Sequence, residues 1–358
     1  MAYTNIDDPS AFFQTATYTG NGDSSDDTNA ITNDGNSDLK PDFLWIKRRD
    51  YDNGHQLADS TRGVTKFLGS ETTAAEYTQS GRLASFDTDG FTVQSSSGAF
   101  NAENEPFVAW QWKANGGTTA SNTDGSTTST VQANTDAGFS IVTYTGTGSA
   151  ATIGHGLGVA PAMLIVKNRT TAVDWAVYHK DLTDAGYVLA LNSADAQADS
   201  GTNRWNDTDP TSSVFSVGSG QQTNQNTNNM ICYAFAEKQG YSKFGKYVGN
   251  SNANGPFVYL GFKPAFIMWK RTSGTSDWVI WDNKRDPDNA VLKALYPSVA
   301  DAESTSSDGT GTSIDILSNG FKMRTNNAVM NGSGEDYIYM AFAESSFVSS
   351  QGIPTTAR

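Results

Sequence analysis

The residues able to carry chemistry in this chain are few and scattered. Its only histidines are His55, His155 and His179, and its only cysteine is Cys232. A zinc site needs three or four His, Cys or carboxylate ligands at short spacing, and none of these histidines has a second His or Cys at ligand spacing. Cys232 lies in the apolar run Met230-Ile231-Cys232-Tyr233 and reads as a small buried hydrophobe; a lone cysteine cannot form an intrachain disulfide. His155 falls in Gly154-His155-Gly156-Leu157-Gly158, a turn. His179 ends an aromatic stretch, where a hydrogen bond at a strand rim accounts for it. No Gly-x-Ser-x-Gly elbow is present, and neither phosphate-cradling glycine loop occurs. Asp23, Asp26, Asp27 and the run Asp34-Gly35-Asn36-Ser37-Asp38 could offer oxygens to calcium, but they lack the twelve-residue loop with its terminal Glu. They read as solvated acidic loops. The sequence therefore predicts no catalytic residue, no metal and no cofactor, and a protein that is not an enzyme.

One tryptophan stands apart. Seven of the eight fall in apolar, strand-like blocks, whereas Trp205 sits in Asn203-Arg204-Trp205-Asn206-Asp207. A ring flanked by such residues could stack on a sugar while Arg204 and Asp207 bond its hydroxyls. The same ring could instead cap the edge of its own fold. An exposed ring with convergent polar groups favours recognition, and a ring packed on strand aromatics favours a structural role.

The elements that would position these residues are β-rich. Apolar residues are 37% and aromatics 11% of 358 residues, with 34 glycines: short aromatic and β-branched runs broken by Gly, Asn, Asp and Ser are the all-β pattern. The net charge of −14, without a basic stripe, speaks against nucleic acid as a partner. No run reaches the ~20 apolar residues of a membrane-spanning helix, so no membrane insertion is expected. The opening MAYTNIDDPS lacks the features of a signal peptide, and synthesis in a cytoplasm is the simplest expectation.

The strongest signal is internal repetition. Thr17-Tyr18-Thr19-Gly20, Thr143-Tyr144-Thr145-Gly146 and Lys246-Tyr247-Val248-Gly249 open three copies, followed by KPDFLWIKRR from Lys40, APAMLIVKNR from Ala160 and KPAFIMWKRT from Lys263. Pro41, Pro161 and Pro264 align, each followed by Lys47, Lys167 or Lys270. Fourteen residues after the proline come Trp175 and Trp278, replaced by His55 in the first copy. Each copy then has one phenylalanine (Phe91, Phe215, Phe321) and a closing aromatic (Trp112, Phe235, Phe342), separated by 21, 20 and 21 residues.

The four-residue apolar runs after each proline suit buried strands, and proline suits a strand's first residue. Gly90 and Gly320 are expected to take positive φ in turns. Short helices are weakly suggested near Thr73-Ala74-Ala75-Glu76 and Asp301-Ala302-Glu303. The predicted architecture is all-β, with three diverged tandem β-sandwich-like domains. The boundaries are 1–114 with an N-terminal attachment segment, a flexible linker at 115–137, second and third domains at 138–245 and 246–345, and a tail at 346–358. The short, aromatic junction Lys238 to Gly245 predicts that copies two and three pack together.

The phrases GFSIVTYTGTGSAATIGHGLGVAPAMLIVKNR, GPFVYLGFKPAFIMWKR, ILSNGFKMR and YIYMAFAESSFVSSQGIPTTAR resemble a virion family of unknown function common in marine bacteriophages and often attached to tail fibres. The resemblance implies a virion location and a fibre or spike component contributing to host attachment. Other virion proteins of tail or capsid would be its partners. Analogy with phage fibres adds a homotrimer and, through exposed loops, a host-surface glycan. A capsid decoration or head-fibre protein and a glycan-binding receptor module are the alternatives, and a depolymerase is a distant third.

Overall fold

The computed structural model describes residues 4–345 apart from 23, 25, 26, 95, 96, 306–310 and 312. The C-terminal tail, Asp23, Asp26 and the first three residues of the attachment segment lie outside the described residues. The fold is all-β and contains three sandwich-like units of one topology.

Each unit has a main sheet with the same strand order. An opening strand pairs with the closing strand, which pairs with the proline-led strand, which pairs with a fourth. In the first unit these are Phe13–Thr19, Pro106–Trp112, Phe43–Arg48 and Gln56–Asp59, all antiparallel. The second unit uses Phe139–Thr145, Asn229–Phe235, Met163–Asn168 and Ala176–His179. The third uses Ser242–Val248, Asp336–Phe342, Phe266–Arg271 and Val279–Asp282. The proline-led and closing strands are central in their sheets and buried on both faces, which is why they read as continuous apolar runs. A smaller sheet covers one face of each main sheet. It holds Thr28–Ile31, Gly90–Gln94 and Leu83–Asp87 in the first unit, and Phe257–Tyr259, Gly320–Met323 and Ile314–Leu317 in the third. In the second it has two strands only, Ala151–Gly154 and Val214–Val217.

Each sandwich has its own core between the sheets. The other face of all three main sheets contributes to a fourth core, shared by the whole molecule. At its centre the three closing aromatics meet: Trp112 and Phe235 have ring centroids 6.2 Å apart, Trp112 and Phe342 5.7 Å, Phe235 and Phe342 5.9 Å. Equivalent residues from three repeats in mutual contact define a pseudo-threefold axis. The units are thus arranged as a ring within one chain.

Equivalent hydrogen bonds close the ring at all three junctions. Glu76 N donates to Arg169 O (3.0 Å), Gln197 N to Thr272 O (3.1 Å), and Glu303 N to Arg49 O (2.6 Å). Copies two and three pack together as expected, and copy one packs against both.

Several expectations are corrected. The segment 115–137 carries the strands Ala120–Asn122 and Ser129–Asn134, which extend the second unit's main sheet to six strands. Its polar composition suits an edge whose outer face meets water, while Val131 inserts into the core. Neither suggested helix forms. Short helical turns lie instead at Thr202–Trp205, Gln221–Asn224 and Ala328–Asn331. Gly90 does take φ +99°, but Gly320 does not have positive φ. A side chain at Gly320 would collide with the carbonyl of Val258, so close approach of two strands is what requires that glycine.

Candidate functional site

The tryptophan set apart by sequence belongs to the interior. The helical turn Thr202–Trp205 follows Gly201 (φ +48°) and ends in left-handed Asn206 and Asp207 (φ +52° and +48°). This turn stands in the chain where Leu83–Asp87 and Ile314–Leu317 supply a strand in the other units. It drives Trp205, only 1% exposed, into the second unit's core beside Phe215 and Val217. Its ring meets Tyr178 edge-on at 5.9 Å. The stacking platform is therefore absent from the surface. Asp207 is exposed and Arg204 half-buried, and burial lowers the Arg204 pKa. The three do not converge on one ligand position, because Trp205 points inward.

Side chains at the junctions make a coherent set. Trp175 Nε1 of the second unit donates to Gly69 O of the first (2.9 Å), and Trp278 Nε1 of the third donates to Ala190 O of the second (2.9 Å). His55 Nε2 of the first unit, at the equivalent position, donates to Tyr296 O of the third (3.0 Å) while Nδ1 accepts from Trp45 Nε1 (2.9 Å). The substitution of His55 for tryptophan thus keeps the same donor role. Burial lowers the His55 pKa to about 3, so the ring stays neutral.

A second layer repeats with one variation. Asp59 pairs with Arg62 (2.5 Å) and accepts from Tyr233 Oη of the second unit (2.8 Å). Asp282 pairs with Arg285 (2.6 Å) and accepts from Trp110 Nε1 of the first unit (3.0 Å). At the third junction His179 and Leu182 occupy the equivalent places, and His179 Nε2 donates to Tyr339 O (3.1 Å). Burial lowers the His179 pKa to about 3 and holds the ring neutral. Arg49 and Arg285 converge on Glu303, and Arg62 and Arg169 on Glu76.

The aligned lysines are the third layer. Lys167 Nζ donates to Thr73 O of the first unit and to Val173 O, and Lys270 Nζ to Ala194 O of the second unit and Arg271 O. Lys47 Nζ donates to Arg48 O and Tyr51 O. All three side chains are buried, and desolvation lowers each pKa to about 8. Their chemistry is that of hydrogen-bond donors to backbone carbonyls.

His155 is also buried: Nε2 donates to Thr211 O (3.2 Å) and Nδ1 accepts from Leu157 N (3.2 Å). Cys232 is buried, and desolvation pushes its thiol pKa far above the usual range. Among the described residues no group of three or more His, Cys, Asp or Glu is placed to hold a metal. A cleft of about 510 Å³ on the third unit escaped the sequence reading. Ser276, Asp277, Tyr296, Asp301 and Asn327 line it. They come from distant stretches without a motif to announce them.

Comparison with the curated proteins finds no match. A family model spans all three units, from residue 8 to residue 346. The chain belongs to the family defined by that domain, a domain of unknown function designated DUF7483.

Proposed function

We propose that this chain is a non-enzymatic structural protein of a bacteriophage particle, a tail fibre or spike component contributing to host attachment. The virion location rests on the sequence resemblance. The observation carrying the structural role is the aromatic axis, where Trp112, Phe235 and Phe342 fasten three sandwiches into one ring. The junctions support the same reading. His55, His179, Asp59, Asp282, Lys167 and Lys270 are buried there in hydrogen bonds between units. A fibre module with threefold character fits other tail proteins arranged about a threefold axis. One chain already supplies that symmetry, so a monomer on the axis competes with the homotrimer inferred from fibres.

The glycan-binding alternative moves from Trp205 to the cleft at Asp277, Tyr296, Asp301 and Asn327, whose carboxylates, amide and ring suit sugar hydroxyls.

Immunogold labelling of purified particles with antibody to the chain tests the proposal. Label on the tail supports it. Label on the capsid replaces it with the decoration alternative, and particles that carry no label and yield no peptide of the chain by mass spectrometry overturn it.

A further inference from the structure

The three units differ in how the open side of the sandwich is finished. In the second unit the chain seals its own edge. Ser129–Asn134 pairs antiparallel with the opening strand Phe139–Thr145, in the register Val131 to Val142. The preceding residues cross to the small sheet, where Ser126 and Thr152 exchange hydrogen bonds of 2.8 and 2.9 Å. Gly154 leaves room there, since a side chain would collide with Asn122.

In the third unit no described residue covers the same side. Its opening strand, Ser242–Val248, ends the sheet. The closing strand takes the main-chain groups of Tyr241, with Ala343 N donating to Tyr241 O, and of Gly249, whose N donates to Glu335 O. Ladder alternation therefore turns those of Lys246 and Val248 outward. The counterparts of Thr152 and Gly154 are Phe257 and Tyr259, 46% and 53% exposed, and Val248 is 53% exposed. Lys243 lies 5.5 Å over the Tyr259 ring, which places the two edge strands side by side.

We propose that this edge of the third unit binds an extended, acidic strand of another protein by antiparallel addition to Lys246 and Val248. The second unit supplies the argument for a strand, because the equivalent edge there is filled by one. Charge supplies the argument for acid. Lys243 and Lys246 lie on the strand and Lys322 opposite Phe257, in a chain of net charge −14. The acids around them are engaged or terminal: Glu237 with Lys180 and Phe244 N, Asp315 with Arg324 across from Lys322, and Asp336 at the far end beside Val248. Phe257 and Tyr259 would take the apolar side chains of the alternating strand. The inference does not depend on where the protein resides.

The test is fluorescence anisotropy with the full chain and two labelled peptides of the sequence 127–136. One carries Thr128→Asp and Thr130→Asp, the other lysine at both places. Saturable binding of the acidic peptide, about tenfold or more tighter than the lysine peptide, is expected. Lys246→Pro, which removes an outward N–H from an edge strand, should abolish it, and Tyr259→Ser should weaken it; unchanged melting temperatures show that both variants fold. Three results overturn the proposal: no binding of either peptide, concentration-dependent dimers in sedimentation that Lys246→Pro removes, or glycan-array binding lost in Tyr259→Ser but kept in Lys246→Pro.

Discussion

Replacing Trp112 by alanine tests whether the ring is one cooperative body. Trp112 is 1% exposed and its ring meets Phe13 at 5.1 Å, Phe43 at 5.3 Å and Phe266 at 5.4 Å, besides Phe235 and Phe342. Three of these five partners belong to the other units. Truncating a buried tryptophan costs about 3–5 kcal/mol. The effect on melting depends on how much of the chain unfolds together. A ring of roughly 340 residues has an unfolding entropy of about 0.7 kcal/mol/K, so the loss lowers the midpoint by about 4–7 °C.

Independent units behave differently. A single unit of roughly 110 residues has an unfolding entropy of about 0.23 kcal/mol/K, and the same loss lowers its midpoint by about 13–22 °C. Differential scanning calorimetry separates the cases. One endotherm displaced by a few degrees is expected for Trp112→Ala. An early endotherm of one-third the enthalpy, with the remainder melting as in the wild type, would refute the shared core as the basis of stability.

Further expectations concern the junctions. Asp282→Ala removes one of the two carboxylates on the buried Arg285 guanidinium, leaving Glu303, and should cost about 1.5–3 kcal/mol in chemical denaturation; the double change Asp282→His with Arg285→Leu copies the second unit's pair and should cost less. The lysine pKa values of about 8 lie below the unfolded value of 10.5. The folded state therefore sheds these protons first, and stability should rise as pH increases from 8 toward 10. Lys167→Met should shrink that rise, and a flat profile in the wild type would contradict the assignment. Trp205→Ala should lower stability by about 3–5 kcal/mol while leaving any glycan binding intact, whereas changes at Asp277 or Asp301 should affect such binding without a large loss of stability.

The repeat was legible because its landmarks are local. A proline before an apolar run, a phenylalanine after a turn and a closing aromatic pair survive divergence at fixed spacing. The ring was not. Trp112, Phe235 and Phe342 look like any core residues until the strands place them on one axis, and linear spacing carries no information about contacts between units. The segment 115–137 was misread for a physical reason. An edge strand needs few apolar residues, so Ser, Thr, Gln and Asn with Val131 alone suffice. Trp205 misled in the opposite sense. Its polar neighbours suggested exposure, but they belong to a turn that aims the one apolar side chain inward, in place of a strand the second unit lacks.

The three junctions also explain why divergence stopped where it did. Each is built from a backbone bond that any sequence can make, a donor reaching a neighbour's carbonyl, and a third pair of positions that holds a buried ion pair at two of the three. The first imposes no residue type, and it is kept three times. The second needs only a ring N–H, and tryptophan and histidine both serve. The third demands two matched charges, since one without the other is costly in the interior. It is therefore kept whole at two junctions and replaced whole at the other, by His179 and Leu182. A half-replaced junction, charged on one side only, is the state this physics disfavours. Among the described residues the ring has none at these positions.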